Sequence, residues 1–284
     1  MQVAVVTDST AYLPEGFAVR HSITVVPLYV LIDDKEGLDG VDIDQAELID
    51  ALKAKRNVST SMPAPASFVK AYHEALDNGA DAVVSVHISS ELSGTWGAAV
   101  SAADEVNAER GEGTVRVVDS RTTVMGLGFA AVRAASVATG GTTGAEVEAA
   151  AVSAAARSRT LFVVETLEHL RRGGRIGAAT AVLGTALAMK PLLHIDDGKI
   201  KPLEKVRTLT RAMTRLADLA VEAAGDQQVE VAVQHLGAYE RAAALADQLE
   251  RRIPGINGCV VAELGAVIGA HTGPGIVGVV VQPL

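Results

Sequence analysis

The sequence predicts an α/β fold with two domains, and three features of the chain support this prediction. The chain has 284 residues, which exceeds the usual size of a single domain. Up to about residue 158, short apolar runs alternate with amphipathic or alanine-rich runs, a pattern typical of a mostly parallel sheet with helices on its faces. Beyond that point strand-like runs outnumber helical ones, which indicates an α+β arrangement with a partly antiparallel sheet. We therefore predict domains at 1–158 and 159–284.

The first domain opens with a buried strand, QVAVVTDS, that runs into a polar turn. A strand or hairpin arm, ITVVPLYVLID, follows, and the turn DDKEGLDG completes a small hairpin insertion near 23–42. Asp44 is the expected N-cap of a helix over DQAELIDALKAK, and Gly79 ends the next helix. The remaining elements alternate as strands and helices: DAVVSVHIS, ELSGTWGAAVSAADEVN, TVRVVDS, MGLGFAAVRAASVA and AEVEAAAVSAAARS.

The second domain contains a hairpin signal, Asp196-Asp197-Gly198, because Asp-Gly accepts the left-handed conformations of a tight turn. Residues 264–284 carry no charge and are about long enough to span a membrane, but glycines and prolines divide them into two short strands, AVI and IVGVVV. A loop that contains His271 is expected between these strands. The other elements are predicted as strands TLFVVE, QVEVAVQH and GCVVAELG, and as helices ATAVLGTALAM, TRAMTRLADLAVEAAG and ERAAALADQLERRI.

The composition argues against several classes of protein. The net charge of −9 argues against a nucleic-acid partner, since the phosphate backbone binds basic surfaces. A single cysteine cannot form an internal disulfide, and without a signal peptide at the N-terminus the reducing cytoplasm is the expected location. Hydrophobic residues make up 49% of the chain but aromatic residues only 3%, so the core is expected to be aliphatic.

Familiar motifs for nucleotide binding and catalysis are absent from the sequence. It contains no G-x-x-x-x-G-K-S/T phosphate loop, no G-x-G-x-x-G after a strand with an acidic partner, and no G-x-S-x-G nucleophile elbow. The seven histidines are scattered and form no H-x-x-x-H pair, so neither a metal nor another cofactor is expected. His87 lies within a strand pattern and is predicted to be a core residue.

Polar residues gather at the ends of the predicted strands, where ligands bind in open α/β sheets. Ser93 and Gly94 begin a helix, so the hydroxyl and free N–H groups there either cap the helix or receive an anion. Arg175 is either a surface cation or, after two glycines, a ligand contact, and His271 is open between loop packing and ligand contact. The clusters are Thr7–Thr10, Ser59–Ser61, Ser89–Ser90, Ser93–Thr95, Asp119–Ser120, Gly173–Arg175 and the His271–Thr272 loop.

Nine segments carry a resemblance that spans nearly the whole chain. They are TDST, ITVVPL, TSMPAP, ISSELSGTW, VVDS, MGLG, TLEHLRRGGRIG, KPLLHIDDGKI and GAHTGPGIVG. In this order they resemble the motifs of the DegV family of bacterial fatty-acid-binding proteins, some of which are the acyl-carrying subunit of fatty acid kinase. The resemblance implies a Rossmann-like first domain and a second domain resembling the substrate-binding domain of dihydroxyacetone kinases. A long-chain fatty acid would lie in the crevice between them.

The resemblance also implies roles for individual residues. The positions that contact the fatty acid carboxylate in the family are matched here by Thr60, Ser93 and His271, and their head-group neighbours by Ser61, Gly94, Arg175 and Thr272. Arg207 matches the arginine associated with the kinase partner and phosphoryl transfer. Met62 departs from the family pattern, which often has glutamine there, so no hydrogen bond from that side chain is expected.

The resulting hypothesis is a lipid-binding subunit without an ATP site, which presents its fatty acid to a separate ATP-binding kinase for acyl phosphate formation. Two alternatives stay open. One is a kinase-like enzyme subunit for a small ketone or polyol held by His271, and the other is a lipid carrier or sensor without a kinase partner. A small ketone needs polar groups on all sides, whereas the clusters supply one polar end, which favours the fatty acid.

Overall fold

The computed structural model describes residues 1–176 and 189–284, which group by their contacts into two units. The first unit comprises Met1–Tyr29 and Ser61–Arg157, and the second comprises Val30–Thr60 and Ser158–Leu284. The helix predicted over ATAVLGTALAM lies almost entirely outside the described residues.

Strands and helices alternate along much of the described chain. The strands are β1 Val3–Asp8, β2 Ile23–Val26, β3 Tyr29–Ile32, β4 Lys35–Leu38, β5 Val58–Ser61, β6 Ala82–His87, β7 Val115–Asp119, β8 Arg159–Val163, β9 Lys190–Asp196, β10 Lys199–Val206, β11 Val229–His235, β12 Ile256–Glu263 and β13 Val277–Pro283. The helices are α1 Phe17–Arg20, α2 Gln45–Lys53, α3 Pro65–Asp77, α4 Thr95–Arg110, α5 Val124–Ala138, α6 Gly144–Arg157, α7 Glu168–Arg172, α8 Leu209–Ala224, α9 Tyr239–Arg252 and α10 Ala266–Thr272.

The first unit is built on a four-stranded parallel sheet in the order β2-β1-β6-β7. Strand β6 is buried along its whole length, as expected for a central strand of a parallel sheet covered by helices. Phe68 and Tyr72 of α3 and the alanines of α4 form a core with Val6 and Val83 of the sheet. The predicted alternation of strands and helices is therefore confirmed in this unit.

A buried polar network crosses this sheet at the end of β1. The Asp8 carboxylate accepts hydrogen bonds from the backbone N–H of Thr10 and of Ile88, each at 3.0 Å, and from the Thr10 hydroxyl. It also lies 3.0 Å from Nδ1 of His87, whose Nε2 is 2.6 Å from the Ser85 hydroxyl. Asp8, Ser85 and His87 are fully buried. Asp8 is thus a structural residue, and His87 is confirmed as a core residue.

The second unit contains a six-stranded mixed sheet in the order β10-β9-β8-β13-β11-β12. Only the β11–β12 pair in this sheet is parallel, so the predicted partly antiparallel sheet is confirmed. Strands β9 and β10 meet at the predicted tight turn, where Asp197 and Gly198 both have positive φ angles, 51° and 78°. Helices α8 and α9 bury their apolar faces against the sheet.

A second sheet has three strands in the order β4-β3-β5. Together with α2, these strands form the Val30–Thr60 segment of the second unit and extend beyond it by one residue at each end. This differs from the hairpin insertion predicted near 23–42 in the first domain. Strand β2 pairs in parallel with β1 in the first unit, whereas the chain from Val30 to Thr60 belongs to the second unit. The sequence DDKEGLDG, predicted as a turn, contains the strand β4. Asp44 caps α2 as predicted, because its carboxylate accepts from Glu47 N–H at 2.8 Å.

The predicted strand AVI and the loop after it are wrong, because Ala266–Thr272 forms the helix α10. Three consecutive apolar residues do not distinguish a strand from a buried helix. The helix ends at Gly273, which has a φ of 76° and donates its N–H to Gly269 O at 2.8 Å. Among the described helices, none is both long and apolar enough to cross a membrane.

Removal of the Asp8 carboxylate tests the network in the first unit. We expect Asp8→Ala to lower the free energy of unfolding by roughly 3 kcal/mol or more, because it leaves several buried donors unsatisfied. Asp81→Ala is the matched control, since Asp81 is exposed and accepts one hydrogen bond, from Gln2 N–H. Chemical denaturation measures both, and equal losses from the two variants would contradict the assignment.

Candidate functional site

The structure places two of the predicted site residues in contact. Thr60 Oγ1, near the end of β5, lies 2.9 Å from His271 Nε2, near the end of α10. Both side chains are partly buried within the second unit. The two residues are 211 positions apart in sequence. The pair brings one hydroxyl and one imidazole together, so together they can offer a hydrogen-bond donor to a ligand.

Burial keeps the His271 imidazole neutral. Loss of hydration on burial, with a smaller contribution from the Arg175 guanidinium, lowers the pKa of His271 from 6.5 to about 4. A neutral imidazole carries a hydrogen on one nitrogen and a lone pair on the other. At neutral pH the Thr60–His271 pair is therefore an uncharged donor and acceptor.

The close approach of α7 to α10 depends on two glycines. A Cβ at Gly173, directly after α7, would overlap the His271 imidazole. On the other side, a Cβ at Gly273 would overlap the imidazole of His169 in α7. From the sequence, the two glycines before Arg175 allow either a surface cation or a close approach of the backbone to a ligand. In the structure, the first of these glycines instead accommodates the side chain of a site residue.

Arg175 lies close enough to His271 to influence its charge. Its side chain is exposed, and one guanidinium N–H group donates to the carbonyl of Gly173. The backbone N–H of Arg175 donates to Leu170 O at 3.1 Å, which closes the turn after α7. Arg175 therefore joins Thr60 and His271 in one cluster of the second unit.

The loop that follows α10 rests on a group of charged side chains. A Cβ at Gly275 would overlap the side chain of Glu165, which lies 2.8 Å from Lys190 Nζ and 2.9 Å from an Arg241 guanidinium nitrogen. Partial burial opposes ionisation of Glu165, but the hydrogen bonds from Lys190 and Arg241 lower its pKa overall. Glu165 is thus an anion fixed between two cations beside the chain turn that leaves His271.

The first unit holds Ser93 and Gly94 at the start of α4. Ser93 Oγ lies 2.8 Å from Thr95 Oγ1 and accepts from Thr95 N–H at 3.3 Å. Gly94 lies under Met62, because a Cβ there would overlap the Met62 sulfur. A thioether therefore covers this helix end. Ser93 itself is partly buried.

Three other predicted residues have different surroundings. The Thr272 hydroxyl donates to Ile268 O at 2.9 Å, inside its own helix, and Ser61 is exposed with its hydroxyl directed to Met62 O at 3.3 Å. Arg207 is exposed directly after β10.

Within residues 1–176 and 189–284, no group of three or more histidine, cysteine, aspartate or glutamate side chains that could hold a metal ion is found.

Asp39, which no sequence motif indicates, is buried beside the start of α10. Its carboxylate oxygen Oδ1 accepts from the backbone N–H of Ala266 at 2.7 Å and lies 3.4 Å from that of Val267. The Asp-Gly pair at 39–40 has the composition of a turn, and nothing in the local pattern indicates a partner 227 residues away.

These units define a mixed α/β protein whose fold is that of known fatty-acid-binding structures. A DegV family structure from Thermus thermophilus, described as fatty acid binding, is 34% identical, covers 100% of both chains and has a TM-score of 0.92. DegV from Bacillus subtilis, described as a fatty acid binding protein, is 32% identical over 100% of both chains, with a TM-score of 0.89.

The chain belongs to the DegV family. The family model described as "Uncharacterised protein, DegV family" matches residues 2–284. A DegV domain-containing protein of Streptomyces coelicolor is 51% identical over 280 residues, which is 99% of this chain and 98% of the relative. Membership confirms the family to which the sequence motifs pointed, while the roles of the individual site residues stay predictions.

Gly173→Ala tests the packing around His271. Because the added methyl group would displace the imidazole, we expect the pKa of His271 to rise from about 4 towards 6.5. Histidine NMR signals followed against pH measure this shift, and the His271 signal is assigned by its loss in His271→Gln. Gly258→Ala is the control, since a Cβ there would meet nothing within 4 Å. An unchanged His271 titration in Gly173→Ala would contradict the packing described above.

Proposed function

We propose that this chain binds a long-chain fatty acid and that Thr60, Ser93 and His271 hold its carboxylate. The observation that carries the proposal is the Thr60–His271 pair, a partly buried hydroxyl 2.9 Å from a neutral imidazole. The fatty-acid-binding relatives from Thermus and Bacillus, similar over their whole length, support the class of ligand.

The hydrogen atoms of the Thr60–His271 pair suit a ligand that only accepts hydrogen bonds. A carboxylate accepts hydrogen bonds and donates none. If His271 Nε2–H donates to Thr60 Oγ1, the Thr60 hydroxyl hydrogen is left for the carboxylate. We infer this arrangement for the bound state, because the opposite one uses the only hydroxyl hydrogen of the pair internally.

Ser93 offers a second donor by the same logic. Its oxygen already accepts from Thr95 N–H, so the Thr95 hydroxyl can donate to it as well and leave the Ser93 hydrogen for the ligand. Ser93 also stands at the N-terminus of a 16-residue helix, where the helix dipole favours an anion. Without such donors, burying a carboxylate would cost roughly several kcal/mol, because the unpaired ion loses its hydration.

The acyl tail supplies the affinity in this proposal. Each buried methylene contributes about 0.8 kcal/mol, so a chain of roughly sixteen carbons contributes more than about 10 kcal/mol before ordering costs. The polar residues then fix which end of the ligand is held. Arg175 and the neighbours Ser61, Gly94 and Thr272 shape the surroundings of the head group in this view.

We further propose that the bound acid is presented to a separate ATP-binding kinase. A carboxylate oxygen would attack the γ-phosphorus of ATP, the bond to the departing ADP would break with its electron pair on ADP, and an acyl phosphate would form. The carboxylate has no proton to lose at neutral pH, so His271 acts as an anchor and not as a base. Arg207, exposed after β10, is proposed to engage the kinase.

Lipid binding can be tested by native mass spectrometry of the purified protein and by titration with palmitate. We expect a co-purifying fatty acid, and affinity reduced about tenfold or more in His271→Ala, Ser93→Ala and Thr60→Val. Ser93→Ala and Thr60→Val each lose a hydrogen bond to a charged group, and His271→Ala loses the imidazole that orients the Thr60 hydroxyl towards it. Thr60→Ser keeps the hydroxyl and should retain binding. His73→Ala is the control and should also retain binding, since His73 lies on α3 in the first unit, 3.5 Å from the Glu109 carboxylate. Wild-type affinity in the first three variants would defeat the site assignment. Phosphate transfer to a triose by the protein with ATP and magnesium would favour the ketone alternative.

The kinase role is tested separately at Arg207. We expect Arg207→Ala to bind palmitate as wild type does but to be phosphorylated at least about tenfold more slowly by a bacterial fatty acid kinase, because one charged contact to the partner is lost. Arg211→Ala removes a nearby exposed arginine and is the matched control. Loss of lipid binding in Arg207→Ala would place this residue in the pocket, and unaltered turnover would remove it from the kinase contact.

A further inference from the structure

Three residues of the 30–60 segment contact the short helix α10 at its start, middle and end. Asp39 accepts from the first N–H groups of the helix. Leu48 of α2 packs so closely on Gly269 that a Cβ at that glycine would overlap it. Thr60 lies against His271 in the last turn. The segment therefore fixes the whole length of the helix that carries the imidazole.

Helix α10 has little stability of its own. It has seven residues, and isolated helices shorter than about 12 residues are marginal in water. Its N-cap residue is Gly265, which has no side chain to accept from the first N–H groups. The Asp39 carboxylate takes over this capping role from a remote part of the chain, and its negative charge suits the positive end of the helix.

The position of Asp39 is itself fixed by local structure. Its backbone forms an isolated bridge to Ile43, and the neighbouring Leu38 N–H donates to the Asp42 carboxylate at 2.9 Å. The Asp39 side chain is only 4% exposed. A carboxylate held on a closed turn and buried against a helix end sets where that helix begins.

Where α10 begins determines where His271 points. Successive residues of a helix are about 100° apart around its axis, so a slip of one residue would turn the imidazole away from Thr60. The hydrogen bond between the two side chains would then break, and the imidazole would leave its buried position beside Gly173.

We propose that Asp39 is a positioning residue that fixes the orientation of His271 towards Thr60 through the start of α10. Asp39 touches no ligand in this account and acts only through the helix. The consequence for fatty acid affinity rests on the function proposed above, whereas the orientation of the imidazole does not.

The test compares Asp39→Ala with Asp39→Asn, which keeps an acceptor oxygen. In Asp39→Ala we expect the pKa of His271 to rise from about 4 by at least about one unit, measured by NMR without ligand. The direction is diagnostic, since removing a nearby negative charge would by itself lower the pKa of a histidine. Palmitate affinity should fall about tenfold in Asp39→Ala and stay within about threefold in Asp39→Asn.

Thr208→Ala is the matched control for a general loss of stability. Thr208 caps α8 in the same unit by accepting from Arg211 N–H at 3.3 Å, and its removal should leave both the His271 titration and palmitate binding unchanged. An unchanged His271 titration in Asp39→Ala, or equal shifts in Thr208→Ala, would overturn the proposal. If wild type binds no palmitate, the proposed function fails and the NMR result still decides the role of Asp39.

If Asp39→Ala does not fold, the proposal is tested with Asp39→Asn by amide hydrogen exchange and by the pKa of His271. A neutral acceptor holds the helix end less tightly than a carboxylate, so amide hydrogen exchange at Ala266 and Val267 should be faster than in wild type. A smaller upward shift of the His271 pKa should accompany it. Wild-type exchange at both amides together with an unshifted pKa would reject the proposal.

Discussion

The hydrogen bond between Thr60 and His271 is the interaction on which the candidate site of the second unit depends. It joins residues 211 positions apart, and the seven-residue helix that carries His271 is contacted by a segment far away in sequence. Asp39 at its start and Leu48 along its side supply what the helix lacks, a cap and a packing surface. The grouping of Val30–Thr60 with the C-terminal half of the chain follows from these contacts.

Burial determines the chemical character of this site. A solvent-exposed histidine would be partly charged near neutral pH, but loss of hydration and the nearby Arg175 hold the pKa of His271 at about 4. The neutral imidazole therefore contributes a directional hydrogen bond and no charge. A hydroxyl oriented by such an imidazole suits a head group that is already ionised, because the group needs hydrogen bonds of defined geometry and no proton transfer.

Polar residues at strand ends serve two different purposes in this molecule. Asp8 is the last residue of a central strand, yet its oxygens are used by Thr10, His87 and Ile88 in a buried network. Ser93 also follows a central strand but remains partly buried with a simpler set of partners. The number of internal partners, and not the residue type, distinguishes the structural group from the candidate ligand contact.

Features that depend on neighbouring residues can be predicted from the amino-acid sequence alone. The turn at Asp197-Gly198, the Asp44 cap and the alternation of strands and helices were predictable, because backbone preference and local hydrogen bonds decide them. The family motifs also pointed to Thr60, Arg175 and His271, which the structure brings together.

The helix at Ala266–Thr272 and its cap by Asp39 became visible in the tertiary structure. A run of three apolar residues fits a strand or a helix, and the carboxylate that caps this helix is 227 positions away. The contact between Gly173 and the His271 imidazole is likewise invisible in sequence, since it requires two chain segments to be packed together first. Local preferences are encoded residue by residue, whereas a site formed by remote segments exists only after their packing has fixed the distances between them.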